Sequence, residues 1–169
     1  ELPECKVCNK QLLNADVYRN WFNNMYKKYE DDIWLKTNAD GETSMKPISY
    51  DYRFTNLCNF KCRMCGPMLS SSAEAEARLM KSWHIKGDPW MMPPLKKIIT
   101  EFQDTQIEKE FAEAIEDKRM EEIYWVGGEP LMYEQHWKYL QRIIELNYPE
   151  QVMLRYNTNL SRVNYKKQN

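Results

Sequence analysis

Hydrophobic positions along the chain alternate between two spacings, and the changes mark out its elements. Tyr18, Phe22, Met25 and Tyr29 recur at helical spacing, which predicts an amphipathic helix over residues 10–30 with an aromatic face on a core. The polar stretch TNADGETSMKP, carrying Gly41 and Pro47, reads as a loop or linker into a strand at 48–54, ISYDYRF. Farther on, SSSAEAEARLMKSW opens with serines suited to capping and sets Ala73, Ala77 and Met80 on one helical stripe. GDPWMMPP has to be irregular, because three prolines and a glycine interrupt it. Ile107, Phe111 and Ile115 share one face of a second helix. EEIYWVGGEPLM is a short apolar strand ending in a glycine turn, Trp137, Leu140 and Ile144 mark a third helix, and VMLRYNTNL is a strand with a polar end.

Strands alternating with helices in this way predict an α/β fold with a parallel sheet. Functional loops in such sheets gather at the carboxyl ends of the strands. Here those ends carry TNLCNFKCRMCGP after the first strand, Gly127 to Pro130 after the second, and Asn157 to Asn159 after the third. All three are expected at one edge. The linker divides the chain into an N-terminal segment, 1–46, and a main domain, 47–169.

A chain of 169 residues can bury one substantial core but is too short for a complete barrel of eight strand–helix units. It begins without Met, so it reads as a segment of a longer protein. The net charge is −1 with both signs interspersed, which provides no electrostatic footprint for nucleic acid or an anionic membrane. No apolar run approaches the roughly 20 residues that span a bilayer, and ELPECKVCNK lacks the features of a signal peptide. A cytoplasmic protein is expected.

The five cysteines lie at 5, 8, 58, 62 and 65. An odd, clustered set fits metal ligation in a reducing compartment better than a disulfide framework. Cys58, Cys62 and Cys65 form a C-x3-C-x2-C loop, and three thiolates from one loop can hold three corners of a four-iron cluster while leaving the fourth iron open. The alternative is a structural zinc site combining Cys5 and Cys8 with two later cysteines, in a binding module without catalytic activity. That alternative leaves the third loop cysteine and the GGEP turn without a purpose. A redox pair at Cys5 and Cys8 lacks the preceding strand that such motifs use. His84 and His136 have no metal-ligand spacing and are read as surface or packing residues, and the tryptophans and methionines as mostly core.

The C-x3-C-x2-C loop after one strand and the GGEP turn after the next together resemble the radical S-adenosylmethionine superfamily, over residues 48–165. The resemblance implies the first half of a partial (βα)6 TIM-like barrel. It implies Cys58, Cys62 and Cys65 as ligands of a [4Fe-4S] cluster whose open iron binds S-adenosylmethionine. Reductive cleavage then yields a 5'-deoxyadenosyl radical that abstracts hydrogen from a substrate, with flavodoxin or ferredoxin as the kind of electron donor. Glu129 with the carbonyls of Gly127 and Gly128 would accept the cofactor's ammonium, in a turn closed by Pro130. Met64 stands where the family usually has an aromatic residue against adenine, and its thioether can still pack on a ring. Phe60 is a candidate to shield the cluster from water. Asn159 belongs to the polar end of the third strand near the cofactor. Cys5 and Cys8, ahead of a helix, resemble a small auxiliary domain of the twitch type holding a second cluster. Relatives with such domains point to a peptide or protein substrate, with a small-molecule substrate as the alternative, and the segment alone is expected not to turn over.

Overall fold

The structure, a computed structural model, describes residues 18–80 and 88–164. It divides into two compact units, residues 1–46 and 47–169. In the first, helix α1 (Tyr18–Met25) gives way to a 3-10 turn at Lys27–Tyr29 and a short helix α2 (Glu30–Leu35). The single helix expected over residues 10–30 is therefore broken at Tyr26, whose φ of −105° and ψ of 20° leave the α region. Its first residues, with Cys5 and Cys8, lie outside the described part. Among residues 20–46 none is fully buried, so the expected aromatic face covers no core of its own among them. After α2 the chain closes a small turn, with Thr37 bridged to Thr43 and Gly41 at φ 89°.

The second unit is a mixed α/β arrangement around three parallel strands, β1 (Ser49–Tyr50), β2 (Glu122–Trp125) and β3 (Met153–Tyr156), in spatial order β1-β2-β3. Ser49 pairs with Glu122, and Glu122 with Met153. Helix α3 (Ser71–Met80), helix α4 (Pro93–Phe102), a π-helical turn (Gln103–Ile107) and helix α5 (Glu108–Glu116) lie between β1 and β2; helix α6 (Glu134–Glu145) links β2 to β3. The first strand, expected over 48–54, is laddered at only two residues. Beyond Tyr50 the chain leaves the sheet for the cysteine loop, and the Arg53 carbonyl accepts from the Gln103 side chain at 2.8 Å.

Alternation along the strands puts Tyr50, Ile123 and Trp125 on one face, and helices α5 and α6 cover it. Phe111, fully buried, sits at the centre, 5.7 Å from Tyr50, 5.1 Å from Phe54, 5.7 Å from Trp125 and 5.1 Å from Tyr139, ring centroid to centroid. Edge-on and tilted contacts of this kind add roughly 0.5–1.5 kcal/mol each beyond burial. Both helices end the same way, with Lys118 and Asn147 at positive φ and amides reaching back to Ala114 and Ile143. Those reversals return the chain to the sheet at β2 and β3.

The buried stripe of α6 is His136, Tyr139 and Ile143, displaced from the expected Trp137, Leu140 and Ile144, and Ile144 is exposed. Pattern reading favoured the most apolar positions, whereas His136 and Tyr139 are buried because their polar tips find Tyr156 and Glu108. On the opposite face of the sheet the Glu122 carboxylate accepts from Ser49 Oγ at 2.6 Å and pairs with Arg155, whose guanidinium lies 4.6 Å from the Tyr124 ring centroid. Among the described residues no helix is long and apolar enough to cross a membrane.

Candidate functional site

Thirteen residues, TNLCNFKCRMCGP, lead from the β1 segment to α3, and the start of α3 holds them in shape. The Cys58 carbonyl accepts from the hydroxyls of Ser71 at 3.0 Å and Ser72 at 2.8 Å, and the Cys58 amide donates to Ser71 Oγ at 3.1 Å. Ser70 Oγ donates to the Phe60 carbonyl at 2.6 Å and accepts from the Ala73 amide at 3.1 Å. The serines read as helix caps are thus also clamps on the cysteine loop. A loop carrying so many backbone polar groups stays ordered only if these are matched.

A second clamp comes from beneath. Asn56 Nδ2 donates to the Pro67 carbonyl and to Glu74 Oε2, both at 2.8 Å, which ties the two ends of the loop to α3. Glu74, only 7% exposed, also accepts from Trp90 Nε1, Arg78 and Lys96. Burial works against its charge, but the hydrogen bonds from Lys96, Trp90, Asn56 and Arg78 outweigh it and hold the carboxyl at about 2. Nothing in the spacing of AEAEA marked this residue, because an acidic side chain in a helix normally faces water.

All three loop cysteines are free thiols; Cys58 and Cys65 are half-buried and Cys62 is exposed. Burial pushes the Cys65 thiol up, and the Cys62 and Cys58 sulfurs, close enough to repel it when charged, push it further. Thiolates brought close together repel one another and are stabilised by a bound cation. The Cys58 sulfur accepts the Phe60 amide at 3.4 Å and Asn159 Nδ2 at 3.9 Å. Soft thiolates from one loop, with N–H donors on a sulfur, are a donor set that fits an iron–sulfur cluster. Among the described residues, no three His, Cys, Asp or Glu side chains gather around a single ion position.

The glycine turn after β2 docks directly on this loop. Gly127 and Gly128 have φ of 82° and 59°, a region that glycine enters without steric cost. A Cβ on Gly128 would lie 2.5 Å from the Leu57 carbonyl oxygen, and one on Gly127 2.6 Å from Arg53 Cγ. The Gly128 and Glu129 amides donate to the carbonyls of Leu69 and Leu57, one on each side of the cysteine loop. Pro130, buried, opens a short 3-10 turn.

Glu129 is 1% exposed, and its carboxylate accepts three hydrogen bonds from the chain itself. Oε1 accepts from the Leu131 amide at 3.1 Å and Thr158 Oγ1 at 2.5 Å, and Oε2 from the Asn159 amide at 2.7 Å. The carboxylate thereby joins the end of β2 to the end of β3, and with one donor on Oε2 against two on Oε1 it keeps acceptor capacity of its own. Below it lies His136, whose Nε2 is 3.0 Å from Tyr156 Oη. Burial lowers its pKa to about 4 despite the opposing charge of Glu129, so the imidazole is neutral at ordinary pH.

Of the residues singled out from the sequence, Cys58, Cys62, Cys65, Gly127, Gly128, Glu129, Pro130 and Asn159 lie on the three loops that meet at the carboxyl edge of the sheet. Met64 is 91% exposed and Phe60 about half-exposed. Cys5, Cys8 and His84 fall outside the described residues. A model of the Radical SAM superfamily matches residues 52–168, well over half of the chain. No curated protein and no solved structure matches it.

Proposed function

The chain belongs to the Radical SAM superfamily, and from that premise we propose that it is an enzyme carrying a [4Fe-4S] cluster on Cys58, Cys62 and Cys65. The observation that carries the reading is the convergence of three loops at one sheet edge, joined through the Glu129 carboxylate and the Leu57 carbonyl. When bound, the cluster and S-adenosylmethionine supply a 5'-deoxyadenosyl radical that abstracts a hydrogen atom from a substrate.

The chain's own part in this is to bind and to position. Serines 70–72 and Asn56 hold the loop whose three cysteines would carry the cluster. Glycines 127 and 128 let the backbone approach the loop, and their carbonyls together with the Glu129 carboxylate, which keeps a free acceptor site beside its bonds to Leu131, Thr158 and Asn159, are the acceptors proposed for the cofactor's ammonium. Met64, exposed beside Cys65, is available to pack on adenine. The three strands are read as the first part of a (βα)6 barrel, with the Ser49, Glu122, Tyr124 and Arg155 face turned toward its interior. Cys5 and Cys8 are proposed ligands of a second cluster, a peptide or protein the proposed substrate, a flavodoxin or ferredoxin the electron donor, and the cytoplasm the location.

Anaerobic reconstitution with iron and sulfide is the test. A brown protein whose iron content drops sharply in Cys62→Ala is expected, and with reductant and S-adenosylmethionine the full-length enzyme should release 5'-deoxyadenosine. A colourless protein with stoichiometric zinc would overturn the reading.

A further inference from the structure

We propose that Asn159 tunes the reduction potential of the cluster on the cysteine loop by donating an N–H to the Cys58 sulfur; the inference rests on the cluster assignment above. A carboxamide has one accepting end and one donating end, so its use depends on which way it points. At Asn159 the neighbours decide the matter. Oδ1 accepts the Ser161 amide at 2.9 Å, which leaves Nδ2 on the side of the loop, 3.2 Å from Asn59 Oδ1 and 3.9 Å from Cys58 Sγ. The two hydrogens of Nδ2 match these two acceptors. Asn59 Oδ1 is itself fixed by Ser161 Oγ at 3.1 Å.

The backbone of Asn159 is held as well as its side chain. Its amide donates to Glu129 Oε2, and the preceding Thr158 hydroxyl to Glu129 Oε1. The buried Glu129 carboxylate therefore sets where the third-strand loop stands, and with it the distance from the amide to the sulfur. Together with the Phe60 amide, Asn159 gives Cys58 two N–H donors. Donors on a ligating sulfur withdraw electron density and favour the more negative, reduced cluster, so they make the potential less negative. Glu129 acts here as a positioning residue and Asn159 as the donor.

The experiment is a dithionite titration of the anaerobically reconstituted protein with redox mediators, the reduced cluster followed by electron paramagnetic resonance. Wild type is compared with Asn159→Leu, which removes the donor, and Asn159→Asp, which keeps the shape and replaces the donor with a negative oxygen. With equal iron and sulfide content, the midpoint is expected to move to more negative values in Asn159→Leu and further in Asn159→Asp. If Asn159→Leu fails to assemble, Asn159→Ala, which removes the donor without adding a charge, decides. A midpoint that does not move at equal cluster content overturns the inference and leaves the cluster assignment standing. A wild-type protein that takes up no cluster overturns both.

Discussion

Replacing Glu74 with glutamine changes one atom in a residue that touches no sulfur, yet it should loosen the cysteine loop. The carboxylate receives three buried or half-buried donors on Oε2, from Asn56, Trp90 and Lys96 at 2.8–2.9 Å, and Arg78 and Lys96 on Oε1. Its pKa of about 2 against an ordinary 4.5 means that the fold prefers the charged form. At about 1.4 kcal/mol per pH unit, that gap corresponds to roughly 3 kcal/mol. A glutamine keeps one acceptor and turns an N–H toward donors, so the loss at pH 7 should be about 2–4 kcal/mol, a large share of the roughly 5–15 kcal/mol that holds a domain together. The sign with pH follows from the lowered value: the contribution is complete above about 4.5 and is lost as pH falls toward 2. Urea unfolding followed by tryptophan fluorescence, at pH 7 and near pH 3, tests it. Wild type should lose more stability than Glu74→Gln between the two conditions, and the variant should take up less iron on reconstitution because the tie from Asn56 to α3 is weakened. Equal stability at pH 7, with equal acid sensitivity, would refute the reasoning.

Gly128→Ala should cost about 1–3 kcal/mol in backbone strain alone, and its Cβ meets a backbone oxygen at Leu57 that moves only with Cys58; iron uptake should fall, while Gly66→Ala, with open space around the added carbon, should reconstitute normally. Glu129→Ala leaves the half-buried Thr158 hydroxyl and Asn159 amide without their acceptor, at up to roughly 1–3 kcal/mol per group. Calorimetry of cluster-free protein should therefore show a lowered Tm, and an unchanged Tm would mean that the carboxylate is spare and free for a ligand. His136, buried and titrating near 4 in the fold, binds its proton more readily when unfolded; wild-type stability should drop as pH falls from about 6.5 toward 4, and denaturant titrations of His136→Phe should lack that part of the slope.

The linear sequence was informative wherever one residue's chemistry or a short period carried the signal. The C-x3-C-x2-C spacing, the GGEP turn and the strand–helix alternation could all be read from neighbours a few positions apart, and the three loops do meet at one edge. It was uninformative where partners lie far apart in the chain. The phase of α6 was misread because His136 and Tyr139 look polar until Tyr156 and Glu108 are beside them. Nothing in the sequence singles out Glu74, because its partners Asn56, Trp90 and Lys96 come from three other segments. No neighbour of Glu129 in the chain shows that its carboxylate also holds donors from 29 and 30 positions away. Residue type and spacing thus determined what chemistry the chain could hold, three thiolates and a glycine turn. Tertiary structure alone decided which polar groups are spent on one another and which stay available, because a hydrogen bond is satisfied by proximity in space and sequence does not record that distance.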